Sequence, residues 1–236
     1  MKICIAQTQS QKGQVQKNID NHIAFITRAS ALQADVIVFP ELSITGYEPS
    51  LAKALVSEVT HSVFNVFQDL CDTKGITIGV GVPTKATHGI CISMLIFQPH
   101  TKRTVYSKQM LHADELPYFV CGDHQTVLTI KDTRIGLGIC YETLQRAHFL
   151  NANKQGVDIY IASVAKPKGG VERAYTHFSA IAQEFATPIL MSNCVGYCDN
   201  FMSVGQSAVW NKKGDVLAQL DSNNQGYLYM IPILKG

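Results

Sequence analysis

Residues 136–142 read GLGICYE, a run of small and apolar residues that ends in Cys140, Tyr141 and Glu142. Together with the two residues before it, the run predicts a buried strand over 134–139. A free cysteine at the end of such a strand is most often a small apolar core residue. Cys140 therefore indicates chemistry only if other reactive side chains end neighbouring strands.

Short apolar runs of this kind alternate along the chain with longer segments of helical periodicity. Twelve runs predict strands: 2–6, 36–39, 76–82, 90–97, 104–106, 126–130, 134–139, 159–164, 189–193, 207–210, 216–220 and 226–231. Four segments predict helices: 18–33, 51–74, 143–155 and 171–185. A dozen strands exceed one comfortable open sheet, so we expect two packed sheets with helices outside them, an α/β fold.

Turn-forming residues indicate how the strands are connected. The segments 99–102 (PHTK) and 212–214 (KKG) each separate two apolar runs and predict hairpins, so both sheets are expected to be mixed. No composition shift or linker interrupts the pattern. We expect one domain over residues 1–236.

Composition and charge exclude several classes of function. Of the 236 residues, 46% are hydrophobic and 16% are charged, which is typical of a globular chain. The net charge of +2 comes from scattered lysines and arginines, so no basic stripe suits nucleic acid. No segment approaches the ~20 apolar residues that span a bilayer. We expect neither a nucleic-acid partner nor membrane association.

The seven cysteines are an odd number and lie far apart, mostly within apolar runs. This usage is typical of free thiols in a reducing compartment, and the start of the chain does not resemble a signal peptide. We therefore expect a cytoplasmic location. No CxxC pair occurs, and nothing nearby completes a zinc ligand set with Cys194 and Cys198, so no metal site is predicted.

Reactive side chains follow four of the predicted strands, where ligands of α/β folds collect. Glu41 follows 36–39, Cys140 follows 134–139, Lys166 follows 159–164, and Cys194 follows 189–193. Glu41 has apolar neighbours on both sides, so it is either a solvated turn acid or a desolvated base with a pKa raised toward neutrality. The residues alone leave these two alternatives open.

A nucleophilic cysteine needs a base that takes its proton and donors that hold the developing oxyanion. None of the eight histidines stands in a strand-end motif. Glu41 as base and Lys108 as cation form the better constellation. A thiol with a low pKa, trapped faster than the other six, would distinguish a nucleophile from a core cysteine.

Three segments resemble a known family. The residues 39–42 (FPEL), 106–108 (YSK) and 138–142 (GICYE) appear in the order and approximate spacing of the carbon-nitrogen hydrolase (nitrilase) superfamily. The resemblance runs the length of the chain and includes Gly46, Tyr47, Glu115, Phe119, Gly122, Pro167, Asn193 and Gly196. The sequence Cys140-Tyr141-Glu142 resembles that of the amidase-like branch of this superfamily.

The resemblance implies a four-layer α-β-β-α sandwich of two mixed β-sheets with helices on the outer faces. It implies that Cys140 is the nucleophile and Glu41 the general base, with Glu115 beside Lys108 as a further catalytic glutamate. Lys108 and the backbone N–H of Tyr141 would hold the oxyanion. The reaction would hydrolyse a small amide or carbamoyl compound with water through a thioester, without metal or organic cofactor.

Departures from the family pattern affect the substrate pocket. Residues 163–167 read SVAKP where many members have an Asn-Trp pair. Lys166, Lys168 and Arg173 follow the strand end near the site, which makes Lys166 a candidate for binding a carboxylate on the substrate, such as an ω-amide; Tyr47 is the second candidate for substrate binding. A solvated loop is the alternative for the charges of Lys166, Lys168 and Arg173. The chain also lacks the long insertions of nitrile-hydrolysing members. A nitrile hydrolase and a non-catalytic binding or assembly protein remain the alternatives to an amidase.

The family also implies association into a homodimer or larger homo-oligomer through helices near the active-site end. The predicted helices 143–155 and 171–185 are the candidates. Their possible anchors are Phe149, Leu150, Tyr175 and Phe178.

Overall fold

The computed structural model describes residues 1–231. Its strands, numbered along the chain, form two six-stranded sheets and a separate hairpin. The first sheet contains β1 (Ile3–Gln7), β2 (Val36–Val38), β3 (Thr77–Ala86), β4 (Gly89–Phe97), β5 (Thr104–Ser107) and β14 (Gly226–Met230). The second contains β6 (Val127–Ile130), β7 (Thr133–Ile139), β8 (Ile159–Val164), β9 (Ile189–Asn193), β12 (Ala208–Trp210) and β13 (Val216–Gln219).

Both sheets are mixed in the same way. The first has the order β14-β1-β2-β3-β4-β5 and the second β13-β12-β9-β8-β7-β6. In each, three parallel strands lie at the centre (β1, β2, β3 and β7, β8, β9), and the strands directly beside them (β14 and β4, β12 and β6) run antiparallel to them. The edge strands β5 and β13 again reverse direction and so point the same way as the central strands. The predicted hairpins are confirmed, because β5 pairs antiparallel with β4 and β13 with β12. Parallel central strands bring their carboxyl ends, and the residues that follow, to one edge.

The helices cover the outer faces. They are α1 (Val15–Ala31), α2 (Ala52–Leu55), α3 (Asn65–Lys74), α4 (Arg146–Lys154) and α5 (Lys168–Phe185). Apolar residues of α1 and α3 pack on the first sheet, and those of α4 and α5 pack on the second. A third apolar core, which includes Ile5, Val38, Ile139 and Ile161, fills the space between the sheets. The four-layer α-β-β-α sandwich is therefore confirmed.

One predicted helix is wrong. The segment 51–74 contains the short α2 and the longer α3, with 3-10 turns at Pro49–Leu51 and Ser62–Phe64. Between them Ser57 bridges to Thr84, and its backbone exchanges hydrogen bonds with Pro83 and Lys85 of β3. The β-branched residues nearby lower helix propensity. Pairing with the sheet therefore overrides the apolar periodicity.

The sequence reasoning missed a hairpin of β10 (Val195–Cys198) and β11 (Phe201–Val204). Its two-residue turn is Asp199 and Asn200, and Asp199 has φ +46°. Asp and Asn tolerate such left-handed backbone, so this dipeptide between two short runs was the available signal. All seven cysteines lie within the described residues and are free thiols. Over the same residues, none of the helices combines the length and apolar character that a bilayer crossing requires.

Candidate active site

Two carboxylates, two ammonium groups and one thiol meet where the ends of the two sheets face each other. Glu41 follows β2 and Lys108 follows β5 in the first sheet, and Cys140 follows β7 and Lys166 follows β8 in the second. Glu115 comes from the loop after Lys108. Contact across the gap is direct, since the Ser163 hydroxyl donates to the Phe39 carbonyl at 2.8 Å.

Glu41, Lys108 and Glu115 form a fully buried ion network. The Lys108 Nζ donates to Glu41 Oε1 at 2.8 Å and to Glu115 Oε1 at 2.6 Å, with all three side chains at most 1% exposed. The Tyr47 hydroxyl and the His112 backbone N–H also donate to Glu115, at 2.9 and 2.7 Å. Burial alone would lower the pKa of Lys108, but the two carboxylates outweigh it and raise that pKa. The lysine therefore stays charged.

The turn that carries Glu41 is held from several sides. Leu42 has φ +50°, and a Cβ at Gly81 of β3 would overlap the backbone of Pro40 and Leu42, so only glycine allows this close approach. The buried His22 ring stacks on Phe39, and its Nε2 lies 2.9 Å from the Ser43 hydroxyl. The position of the carboxylate is thus fixed by packing before any substrate binds.

Glu41 has one oxygen without a partner. Its Oε1 accepts from Lys108, whereas its buried Oε2 has no hydrogen-bond partner among the residues that the structure describes. Burial, opposed by Lys108, raises the pKa of Glu41 to about 7, and the Cys140 thiol also acts on this carboxylate. Of the two alternatives left open by the sequence, the structure shows the desolvated carboxylate, with an oxygen free to take a proton at neutral pH.

Cys140 opens a 3-10 turn, Cys140–Leu144, in left-handed backbone with φ +46°. Non-glycine residues at such angles are uncommon and concentrate at functional sites. The Cys140 thiol donates to the Ala165 carbonyl at 3.5 Å, and the Lys166 Nζ lies 3.7 Å from Sγ. Burial and the Glu41 charge raise the pKa of this thiol to about 12. The resting thiol is therefore protonated at neutral pH, and its ionisation needs a base.

Tyr141 and Glu142 follow Cys140 in the 3-10 turn. The N–H groups at the start of a helical turn lack intrahelical partners, which leaves the Tyr141 N–H available as an oxyanion donor. Glu142 is fully buried: its Oε1 accepts from the Tyr106 hydroxyl and the Ile139 N–H, and its Oε2 from the N–H groups of Gln109 and Met110. The residues after Lys108 are thereby fastened to the turn of Cys140.

The two residues proposed for substrate binding are placed differently. Tyr47 is 7% exposed and uses its hydroxyl on Glu115. Lys166 is 4% exposed, so the solvated-loop alternative is wrong for it, whereas Lys168 and Arg173 are exposed as that alternative expects. Lys166 therefore belongs to the buried cluster.

Two of the four suggested association anchors are also corrected. Phe149 and Phe178 are each 1% exposed and pack inward on the second sheet. Leu150 and Tyr175 are half-buried. The apolar faces of α4 and α5 serve the core, so an interface on these helices would need their polar outer faces.

Comparison with known proteins follows this geometry. The carbon-nitrogen hydrolase family model matches residues 2–231. The glutamine-dependent NAD(+) synthetase of Xanthomonas campestris pv. campestris is 26% identical over 226 residues, which are 92% of this chain and 41% of that protein. The omega-amidase YafV of Yersinia enterocolitica is 25% identical over 202 residues, 84% of this chain and 77% of that protein. The chain thus spans less than half the length of the synthetase.

Among solved structures, an amidase from Nesterenkonia sp. AN1 superposes with a TM-score of 0.89 at 21% identity, covering 98% of this chain and 93% of that one. That structure shows the result of Michael addition of acrylamide at the active site cysteine. At this level of identity the likeness establishes the shared fold.

Proposed function

This chain belongs to the carbon-nitrogen hydrolase family, and from that membership and the geometry of the buried cluster we propose that it is a thiol-dependent amidase. Its reaction is hydrolysis of a small amide or carbamoyl compound through a thioester on Cys140. The observation that carries the proposal is the buried Oε2 of Glu41, a carboxylate oxygen without a hydrogen-bond partner among residues 1–231, beside that thiol.

Acylation begins when Glu41 Oε2 takes the thiol proton and Sγ attacks the amide carbonyl carbon. The carbonyl oxygen becomes an oxyanion. An ammonium group has three donors, of which Lys108 uses two on Glu41 and Glu115, so one remains for this oxyanion. The Tyr141 N–H is the second donor. Fixed donors in a buried site are the strongest general source of rate enhancement.

Collapse of the tetrahedral intermediate breaks the C–N bond, and Glu41 returns its proton to the leaving nitrogen. The released amine or ammonia leaves a thioester. Glu41, ionised again, takes a proton from water, whose oxygen attacks the thioester carbonyl. The C–S bond then breaks, and the thiolate recovers the proton from Glu41 as the carboxylic acid is released. Glu115 holds Lys108 in place during both halves of the reaction.

An amide is favoured over a nitrile by this arrangement. An amide carbonyl develops a full oxyanion for Lys108 and Tyr141, and its nitrogen needs the proton that Glu41 has just taken. The family relatives named as amidases support the same substrate class.

The test compares kcat/KM for small primary amides with that for nitriles carrying the same side chain, following ammonia release. We expect the amide of each pair to react faster, and Cys140→Ala to lose the activity by at least about 1,000-fold. Cys121→Ala is the matched control, because that thiol is exposed and outside the cluster. It should leave the rates unchanged.

Two results would contradict the proposal. Faster turnover of the nitriles would make the protein a nitrile hydrolase. Absence of turnover across amides, carbamoyl compounds and nitriles, with Cys140 unreactive toward acrylamide, would favour a non-catalytic binding or assembly role.

A further inference from the structure

Lys166 is a buried ammonium group close to the nucleophile. Its Nζ lies 3.4 Å from the Cys140 carbonyl oxygen and 3.7 Å from the Cys140 Sγ, and the residue is 4% exposed. Within residues 1–231, no carboxylate lies within salt-bridge distance of this Nζ. Buried charges are normally paired, so a lysine with only neutral neighbours needs an explanation.

The backbone of Lys166 is fixed as firmly as that of the other cluster residues. Its N–H donates to Asn193 Oδ1 at 2.9 Å, and its carbonyl accepts from the Ser203 hydroxyl at 3.0 Å and the Val204 N–H at 3.3 Å. The hairpin β10–β11 supplies two of these contacts. A mobile surface lysine would not be held from the strand β9 and the hairpin at once.

Two anions could pair with Lys166 during the reaction: a carboxylate on the substrate, or the thiolate of Cys140. Geometry favours the thiolate, since both contacts of Nζ go to Cys140 itself. Charge favours it as well. The resting cluster has two carboxylates and two ammonium groups around a neutral thiol, and transfer of the thiol proton to Glu41 moves one negative charge to Sγ without changing the total. A substrate carboxylate would add an unbalanced buried charge.

We propose that Lys166 is a second catalytic cation, whose ammonium group stabilises the Cys140 thiolate that forms when the S–H bond breaks and Glu41 takes the proton. The inference rests on the proposed amidase function. Lys108 stabilises the negative charge on the substrate oxygen. Lys166 stabilises the negative charge on the sulfur, first before the attack and again when the thioester C–S bond breaks. This division explains why the cluster contains two lysines at different strand ends.

The acidity of Cys140 depends on every charged group that faces it. Burial has the largest effect and raises the pKa of the thiol, and the negative charges of Glu41 and Glu115 raise it further. The positive charges of Lys166 and Lys108 lower it. Further titratable neighbours of the cluster are Tyr47, Cys194, whose pKa the charge of Glu41 acts to raise, and His177 of α5, whose pKa the charge of Lys166 acts to lower. Because burial keeps the pKa of His177 below its usual value, this ring is neutral above pH 7 and leaves the balance unchanged there.

The experiment measures the pH dependence of Cys140 alkylation by iodoacetamide, resolved by peptide mass spectrometry, in wild type, Lys166→Met and Lys166→Arg. The exposed Cys121 is an internal reference for reagent reactivity. Lys168→Met removes an exposed charge two residues away and is the matched control. Lys166→Gln, with melting curves for each variant, replaces Lys166→Met if the latter does not fold.

In Lys166→Met we expect Cys140 to alkylate roughly ten-fold more slowly than in wild type at each pH from about 6 to 9, because loss of the ammonium group raises the pKa of the thiol by about one unit. The kcat for neutral and carboxylate-bearing amides should fall in parallel, and Lys166→Arg should recover most of the loss. Lys168→Met should match wild type.

The inference is overturned if Cys140 alkylates alike in wild type and Lys166→Met while only carboxylate-bearing amides lose kcat/KM. Lys166 would then bind substrate. Failure of the proposed function looks different: the alkylation rate of Cys140 would still depend on Lys166, but wild type would hydrolyse none of the amides.

Discussion

The ionisation of Glu41 predicts the pH profile of the enzyme. In the proposed mechanism Glu41 must be a carboxylate to take the thiol proton, and burial, opposed by Lys108, raises its pKa to about 7. Activity should therefore increase with pH through this value. An ordinary exposed glutamate, with a pKa near ~4.3, would give a profile already flat above pH 6.

The size of the increase follows from a single ionisation. With a pKa of about 7, about a tenth of Glu41 is ionised at pH 6 and about nine tenths at pH 8, so kcat/KM should rise about ten-fold between them. The assay is ammonia release from a neutral amide at substrate concentrations well below KM. A neutral substrate is needed so that its own ionisation does not contribute to the profile.

The neighbour Glu115 provides a signed check on this assignment. The negative charge of Glu115 raises the pKa of Glu41, and the two carboxylates accept hydrogen bonds from the same Lys108. In Glu115→Gln the positive charge of Lys108 acts on Glu41 without this competing carboxylate. The rise of kcat/KM with pH should then occur at lower pH, even though the maximal kcat/KM falls. Glu58→Gln is the control, because Glu58 pairs only with Lys85 at the surface.

Two results would refute the reasoning. A wild-type profile that is flat from pH 5.5 to 8 would mean that Glu41 is not the titrating base. A limb that moves to higher pH in Glu115→Gln would mean that the two carboxylates do not repel each other as their positions require.

Two further predictions concern stability and association. In Glu142→Gln an amide NH₂ faces either the N–H groups of Gln109 and Met110 or the donors on the other oxygen, so two donors lose their acceptor. Urea unfolding should show a loss of about 2–6 kcal/mol in the free energy of unfolding, whereas the exposed Glu184→Gln should unfold as wild type does, and equal losses in the two variants would contradict the reasoning. If the chain pairs through the polar outer face of α5, the mass measured by sedimentation at micromolar concentration should exceed the 25.9 kDa of one chain. Ala180→Arg places a charge on that face and should return the mass to that of one chain. A monomeric wild type would exclude this interface.

Periodicity predicted most of the fold because burial of apolar side chains determines most of it. Strands 159–164 and 189–193 were predicted with the bounds that β8 and β9 have. Sheets buried on both faces give continuous apolar runs that a single sequence displays. The segment 51–74 failed for the complementary reason: pairing of Ser57 with β3 is a contact between distant residues, which local periodicity does not contain.

The candidate site was likewise predictable from the sequence only in part. The resemblance located Glu41, Lys108, Glu115 and Cys140, which the structure brings together as a family motif would. The burial of Lys166 was not predictable, since a lysine near two other charges in sequence looks like part of a solvated loop. Its environment is created by the hairpin β10–β11, which the sequence reasoning had also missed.

The balance of charge in the cluster explains how so many ionised groups persist in a buried site. A lone buried carboxylate or ammonium is strongly disfavoured, but here Lys108 is hydrogen-bonded to both carboxylates, and the backbone of Lys166 is fixed so that its ammonium group lies beside Cys140. In the proposed mechanism each proton moves only between Cys140, Glu41, water and the leaving group, so the total charge stays constant through every step. Large solvent reorganisation is then unnecessary, which is the condition under which buried, preorganised groups accelerate a reaction. Lys166 completes this balance, because without it the cluster would carry an excess negative charge that opposes formation of both the thiolate and the oxyanion.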